Sequence, residues 1–307
     1  MKKILIAILL AGAFSLTSQT VRAQNTCMSY NDEEFKSFFS TPTKVALVGN
    51  ENYDKAIKEA IDQYWTITKV EYFNYSDLVK NKMLKDKSAS FLLPFVFNYH
   101  DLNFESDDLR VWNFAGTDIW LCVVMGGRSG SKSYTDYSLL SYAPIDNYAN
   151  EMNMFNCSYR LGLMVKGMQE AIMIEKNNSL KAAPLNQLRA VLKEMSAKAG
   201  VLKTKTLLVN ENIINDKNFK GKQSLTADVL KSYKYTYKVV PQAEIETAIK
   251  NKDKQYCYLY PVFASNKNVF VSDLESGEIV YGTYAAKGLD INKDDIAKLN
   301  AAIAAAK

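Results

Sequence analysis

The sequence predicts an α/β protein built from two tandem β-α-β-α-β-β-β-α units, each a mixed sheet of about five strands packed with helices and joined by long helices. Two internal matches predict the tandem arrangement. Thr43-Lys44-Val45-Ala46-Leu47-Val48-Gly49-Asn50-Glu51-Asn52 resembles Thr204-Lys205-Thr206-Leu207-Leu208-Val209-Asn210-Glu211-Asn212, with one residue missing at the second turn. Phe91-Leu92-Leu93-Pro94-Phe95-Val96-Phe97 resembles Tyr258-Leu259-Tyr260-Pro261-Val262-Phe263. Between these landmarks both stretches alternate short apolar runs with amphipathic ones, the pattern of an α/β repeat.

Before the first unit, Lys2 and Lys3 precede an apolar run from Ile4 to Phe14. Val21-Arg22-Ala23 then offers small residues at a cleavage position. This is the layout of a secretory signal peptide over 1–23, with Gln24 as the expected new N-terminus. The run is too short to span a bilayer, and Cys27 is not placed for lipid attachment. An N-terminal segment, 24–42, follows.

The first unit is expected over 43–145. Lys44 to Val48 reads as a short strand. Residues 53 to 64 place Ala56, Ile57, Ala60, Ile61 and Tyr64 on one helical face. Thr66 to Phe73 reads as a second strand, and Ser76 as the cap of a helix carrying Leu78, Val79, Met83 and Leu84. Phe91 to Phe97 is nearly all apolar, as a central buried strand should be. Arg110 to Phe114 and Ile119 to Met125 flank Ala115-Gly116-Thr117-Asp118, a hairpin signal.

Bridging helices are expected over 146–200. One starts near Ile145 or Asn147 and runs through Met164, Met168 and Ile172 to about Glu175. A second is opened by Pro184 and stopped by Gly200. The second unit, 201–307, repeats the first, with strands near 204–209, 234–240, 256–264, 268–273 and 278–284. Its hairpin turns at Glu275-Ser276-Gly277-Glu278. Asn292 caps a final helix, Asp295 lies three residues on, and Ile296, Leu299 and Ile303 point inward.

The chemistry-bearing residues are sparse. His100 is the single histidine, which excludes a His-rich metal site and any mechanism with two imidazoles. Gly126-Gly127-Arg128-Ser129-Gly130-Ser131-Lys132-Ser133 has the flavour of a phosphate loop. Ser131 stands where the second glycine is needed, however, and the segment follows the last strand of a unit rather than the first. A surface loop is the expected reading. Asp32-Glu33-Glu34, Asp107-Asp108 and Asp294-Asp295 fit solvated faces and helix starts. No cofactor or metal is expected. Cys122 and Cys257 fall in apolar strands and read as buried thiols; Cys27 and Cys157 are the pair to test first for a disulfide.

Two candidate ligand or partner surfaces emerge. The Gly-Asn turn at Asn50, with its counterpart at Asn210, follows a first strand, where open α/β sheets place ligands; a tight turn selects the same residues. Tyr233, Tyr235 and Tyr237 alternate along one strand, as do Tyr256, Tyr258 and Tyr260 along another. If those strands were neighbours, Tyr235, Tyr237, Tyr256 and Tyr258 would form an aromatic face for a sugar, peptide or protein partner. The competing reading is packing at the sheet–helix or unit–unit boundary.

The formal charge of +5 includes three positive charges in the leader, leaving about +2, so the basic balance carries no signal for nucleic acid. No second long apolar segment follows the leader, so no transmembrane segment is expected beyond it. The leader style, the Tyr/Asn/Lys-rich composition and the doubled unit resemble exported envelope proteins of Bacteroidota. The strand–helix order of each unit is loosely similar to the N-terminal domain of TolB-type periplasmic proteins. That resemblance implies an envelope setting and protein contacts, and transfers no residue roles. The function expected is therefore a non-enzymatic binding or scaffolding protein of the bacterial cell envelope, periplasmic, outer-membrane-associated or secreted. Its partner would be an envelope protein or glycan, with oligomerisation through 147–175 a further option. The alternative is an extracytoplasmic hydrolase whose site is assembled between the two units.

Overall fold

A computed structural model describes residues 32–80, 82–98, 117–127, 138–146, 158–178, 184–214, 225–263, 267–285 and 291–306. Its first sheet contains β1 (Thr43–Leu47), β2 (Val70–Asn74), β3 (Ser90–Asn98), β4 (Thr117–Met125) and β5 (Ser138–Asp146), in the order β2-β1-β3-β4-β5. β1 runs parallel to β2 and β3, and β4 is antiparallel to both β3 and β5. Helix α2 (Glu51–Tyr64) joins β1 to β2; α3 (Asp77–Lys80) and a 3₁₀ turn (Met83–Lys85) join β2 to β3. A short α1 (Asp32–Phe38) precedes the sheet.

The second sheet contains β6 (Thr206–Asn210), β7 (Tyr237–Val240), β8 (Tyr256–Phe263), β9 (Lys267–Asp273) and β10 (Ile279–Ala285). Its order, β7-β6-β8-β9-β10, and its pattern of parallel and antiparallel neighbours match those of the first sheet. Between the sheets lie α4 (Leu161–Asn178), α5 (Pro184–Ser196) and a 3₁₀ turn (Ala199–Lys203). The second sheet carries α6 (Ala227–Leu230), α7 (Gln242–Lys250) and the C-terminal α8 (Lys293–Ala305).

Right-handed crossovers fix where the helices go. The step from β1 to β2 and the step from β2 to β3 run in opposite directions across the sheet, so their helices cover opposite faces. α2 and α4 pack on the face of Val45, Leu92, Leu121 and Val123. Leu78 of α3 packs on the face of Ala46, Phe91, Leu93 and Cys122. In the second unit Leu230 of α6 and the Ile296, Leu299 and Ile303 stripe of α8 meet Leu207, Val209, Cys257 and Leu259. Ile245 and Ala248 of α7 meet Leu208, Tyr258 and Tyr260 on the other face.

These faces test the two internal matches. Leu92 and Leu259 occupy corresponding faces, as do Leu93 and Tyr260, so the strand match around Pro94 and Pro261 keeps its register. The match at the first turn does not. It aligns Val45 with Thr206, yet Thr206 shares its face with Leu208, opposite Leu207. Since an odd slip turns a strand over, that alignment puts the two strands face to back. The ladders pair Val45 with Leu92 and Val209 with Leu259, so Val45 corresponds to Val209.

Three element readings change. The Ala115–Asp118 hairpin is replaced by a longer β4 beginning at Thr117, whose partners are β3 and β5; Arg110 to Phe114 lies outside the described residues. Ile145 lies in β5, not at a helix start, because Ser138–Asp146 pairs along β4, and α4 begins at Leu161. Third, α1 emerges from a stretch with no helical assignment. Its Phe38 is fully buried beside Trp65, the ring centroids 6.4 Å apart. Burying a phenylalanine to this depth is worth about 3–5 kcal/mol against truncation to alanine.

Helix α8 starts as its sequence dictates. The Asn292 side chain accepts from the Asp294 and Asp295 N–H groups, and Asp295 accepts back from the Asn292 N–H at 2.9 Å. Asp295 also meets Lys267, at the start of β9, at 2.6 Å; both side chains are almost wholly buried. This pair ties the last helix to the sheet. Among the described residues no helix is long and apolar enough to cross a membrane.

Candidate functional site

The turn at Asn50 is closed upon itself. Gly49 has φ +82, a left-handed conformation that glycine adopts freely. The Asn50 side chain accepts from the Tyr53 N–H at 3.1 Å and caps α2. One turn on, Asp54 accepts from the Val48 and Gly49 N–H groups at 2.8 and 3.1 Å. These two loop donors, just ahead of the helix start, are thus already held by a carboxylate of the chain. Asn210 likewise accepts from the Asn212 N–H at 2.9 Å, capping the 3₁₀ turn Glu211–Ile213. The N–H groups of Gly126 and Gly127 donate to the Ala89 and Leu84 carbonyls. Residues 128–133 of that glycine-rich run, together with His100, Asp107, Asp108, Cys27 and Cys157, lie outside the described residues.

The tyrosines do not form one face. β6 separates β7 from β8, so the two ladders are not neighbours. Tyr237 aligns with Leu207 and, across β6, with Cys257; Tyr258 aligns with Leu208 and Lys238. The ladders therefore sit on opposite faces of the sheet. Tyr233, just ahead of β7, is buried; Tyr235 and Tyr237 are partly buried beside it on the α8 side. Tyr258 and Tyr260 are buried on the α7 side with Tyr256 next to them, packed against Leu163 and Tyr159 at the head of α4. That is the boundary between the units. The other buried groups of the strands include the Cys122 and Cys257 thiols, which burial pushes up in pKa, Cys257 to about 12.

Docking of the two units builds a site that neither ladder suggested. α4 packs on α2 and β5 of the first unit and reaches β10 of the second, while α5 lies along β10. Where α2, the head of α4 and the end of α7 converge they leave an open groove of about 320 Å³. This falls within the range of small-ligand sites, roughly 300–1,000 Å³. Glu59, Gln63 and Tyr64 of α2 form one wall. Glu59 and Gln63 stand one helical turn apart and Tyr64 follows Gln63, beside the buried Tyr53-Ile57-Ala60-Ile61 stripe of α2. Glu246, Lys250 and Lys252 form the opposite wall, and Tyr159 and Gly162 lie at the head of α4.

The aromatic ring of Tyr64 is held at the junction from three sides. A side chain at Gly162 would come within 3.1 Å of the ring, and one at Gly277, in the β9–β10 turn, would meet the Tyr64 hydroxyl at 2.8 Å. Lys252 lies 5.7 Å from the ring centroid, in cation–π range, and Arg160 stands at the same distance from the Tyr159 ring. Partial burial raises the Tyr64 pKa above the usual phenol value. Within α7, Glu246 accepts from Gln242 at 2.7 Å.

A charged clamp secures the same junction. Lys198, beyond α5, pairs with Glu170 of α4 and lies 3.2 Å from Glu278 in the turn before β10; Lys166 reaches Glu278 at 3.9 Å. Burial raises the Glu170 carboxyl above its ordinary pKa, against the pull of Lys198. Burial works against the Lys198 charge as well, but Glu170 and Glu278 together raise its pKa. A second interunit cavity, beneath α4 and α5, is lined by Met164, Met168, Met195 and Phe270 and holds only about 70 Å³.

The sequence offered no route to Glu59, Gln63, Glu246 or Lys252. They are ordinary surface residues of two helices and a turn, and only the docking of two units makes them neighbours. The apolar residues of α4, by contrast, are consumed within the chain: Leu161, Met164, Val165, Met168 and Ile172 all belong to the core of the first unit. Among the described residues no group of three or more His, Cys, Asp or Glu side chains is placed to hold a metal ion. Comparison with family models, with curated proteins and with solved structures finds no match for this chain.

Proposed function

We propose that the chain is an exported, non-enzymatic binding protein of the bacterial cell envelope whose ligand sits in the groove between its two α/β units. One observation carries this reading: the groove is large enough for a small ligand and lined by aromatic, amide and charged side chains from both units. Ligand sites favour such junctions because two rigid bodies can present side chains that neither could converge alone. The leader at 1–23 supports the envelope setting. We also read the units as copies of one ancestor, on their shared strand order and on the strand match at Pro94 and Pro261. Asn50, which caps α2, and Tyr256, Tyr258 and Tyr260, which pack against the head of α4, support the site indirectly.

The test is ligand-induced stabilisation. A ligand at 100 times its Kd adds about 2.7 kcal/mol to the folded state, which for a chain of this size raises Tm by roughly 5–10 °C. A panel of envelope-derived small molecules should contain at least one such ligand. Its effect should shrink when Gln63 or Lys250 is replaced by alanine. A panel that shifts nothing, or shifts unaffected by those changes, would count against the groove.

A second reading has its own support. Glu59 and Glu246 line the same groove from opposite walls, and a glycoside hydrolase uses two carboxyl groups facing one bond. If the ligand found by stabilisation is recovered cleaved, and Glu59→Gln or Glu246→Gln stops cleavage without stopping binding, the hydrolase reading replaces the binder.

A further inference from the structure

We infer that the ligand class of the interunit groove is a short neutral carbohydrate; this rests on the binding reading above and names its chemistry. Glu59 and Glu246 are matched by Lys250 and Lys252. Two negative and two positive groups at one site leave no net field to select an ion of either sign. What the walls offer instead is a mixture of strong acceptors and strong donors within one small volume.

A hydroxyl group is the ligand group that uses both. It donates to a carboxylate and accepts from an ammonium or amide N–H at the same time, and its bonds to the carboxylate and the ammonium are charge-assisted. Gln63 adds an acceptor and a donor on the α2 wall. A ligand dense in hydroxyls can satisfy such a lining, whereas an anionic or cationic ligand would leave half of it facing a like charge. The aromatic component fits as well. Tyr64 and Tyr159 supply two rings in the groove, and Tyr64 is held in place by close packing at Gly162 and Gly277. A pyranose has an apolar C–H face that rests on such a ring while its rim of hydroxyls reaches the polar walls, so one ligand uses both parts of the lining. The volume of about 320 Å³ accommodates one or two sugar rings, and the open side lets a chain continue outward.

The experiment is calorimetric titration of the full-length protein with maltotriose, cellotriose, chitotriose and, as a zwitterionic control, trialanine. Glu59 and Lys250 are exposed, so their alanine variants should fold as the parent does; circular dichroism and Tm verify this. The inference predicts binding of at least one trisaccharide, weakened about tenfold by Glu59→Ala and by Lys250→Ala, the loss expected for one charged hydrogen bond. Lys231→Ala, at a site 71% exposed that is no part of the groove, should leave affinity unchanged. Trialanine binding with the same variant sensitivity, and no sugar binding, overturns the carbohydrate inference and leaves the binding reading standing. Sugar binding insensitive to both groove variants also overturns it. If none of the four compounds binds, the inference falls, and a photo-reactive residue at position 63 decides the wider reading. Capture of an envelope component there preserves it; absence of capture removes it.

Discussion

Replacing Lys198 with methionine should loosen the junction that forms the groove, and should do so in a pH-dependent way. Lys198 bridges Glu170 of α4 and Glu278 of the β9–β10 turn. The Glu170 side chain is only 10% exposed, so losing its partner strands a carboxylate in a poorly solvated place. Breaking a fully buried pair costs about 3–5 kcal/mol, and an exposed pair about 0–1. Lys198 is 37% exposed, which places the cost between these limits, at about 2 kcal/mol near pH 8. Tm should fall by roughly 4–8 °C. The pH dependence follows from Glu170. Its folded pKa is raised, chiefly by burial, so the folded state holds more protons than the unfolded state just above the ordinary carboxylate range. Stability therefore falls as pH rises through that window and recovers as pH drops. Without Lys198 the carboxyl is raised further, and the recovery on acidification should be larger in the variant than in the parent. Urea denaturation at pH 5 and pH 8, followed by the fluorescence of the buried Trp65, reads both effects. A loss under 0.5 kcal/mol, or one equal at the two pH values, would refute the reasoning.

Three further outcomes are expected. Lys267→Met and Asp295→Ala should each cost about 3–5 kcal/mol in denaturant titrations, because each removes one half of a buried ion pair; the double variant should cost less than the two combined, and simple additivity would contradict the pairing. Cys122 and Cys257 should resist a thiol reagent at pH 8 until the chain is unfolded, being buried and held as thiols. Because both thiols ionise at higher pH in the folded than in the unfolded chain, they also subtract stability as pH rises above about 9; rapid labelling of native protein would show that the strands open. Tyr258→Ser should destabilise by about 3 kcal/mol or more, since its ring is 3% exposed at the unit boundary. Tyr235→Ser, at a partly buried position, should cost less; equal losses in thermal melts would argue against the opposite-face placement.

The sequence reading reached the fold because the signals it used are local. Apolar periodicity placed α2, the Asn292-x-x-Asp295 pattern placed the start of α8, and the apolar run at Phe91 placed β3. It failed where pairing decided the outcome. Ser138–Asp146 carries a proline and mixed polarity, and only the β4 ladder makes it a strand. The Thr-Lys match lost its register because short strands of similar apolar residues align almost equally well in several registers, and only the packing faces and ladders distinguish them. The tyrosines were visible as alternating ladders, but the order β7-β6-β8 is non-local and inserts a strand between them. The groove was invisible for the same reason. Glu59 and Lys250 are separated by most of the chain, and each by itself is a charge on a solvated helix face.

The central claim, that a ligand occupies the groove between the units, is tested most directly by photo-cross-linking at position 63. The full-length protein carrying benzoylphenylalanine in place of Gln63 is irradiated in envelope extract, beside a control with the same residue at Lys231. Mass analysis should find an adduct at position 63, bearing carbohydrate, and none at position 231. No adduct at position 63, or equal adducts at both positions, would contradict the account.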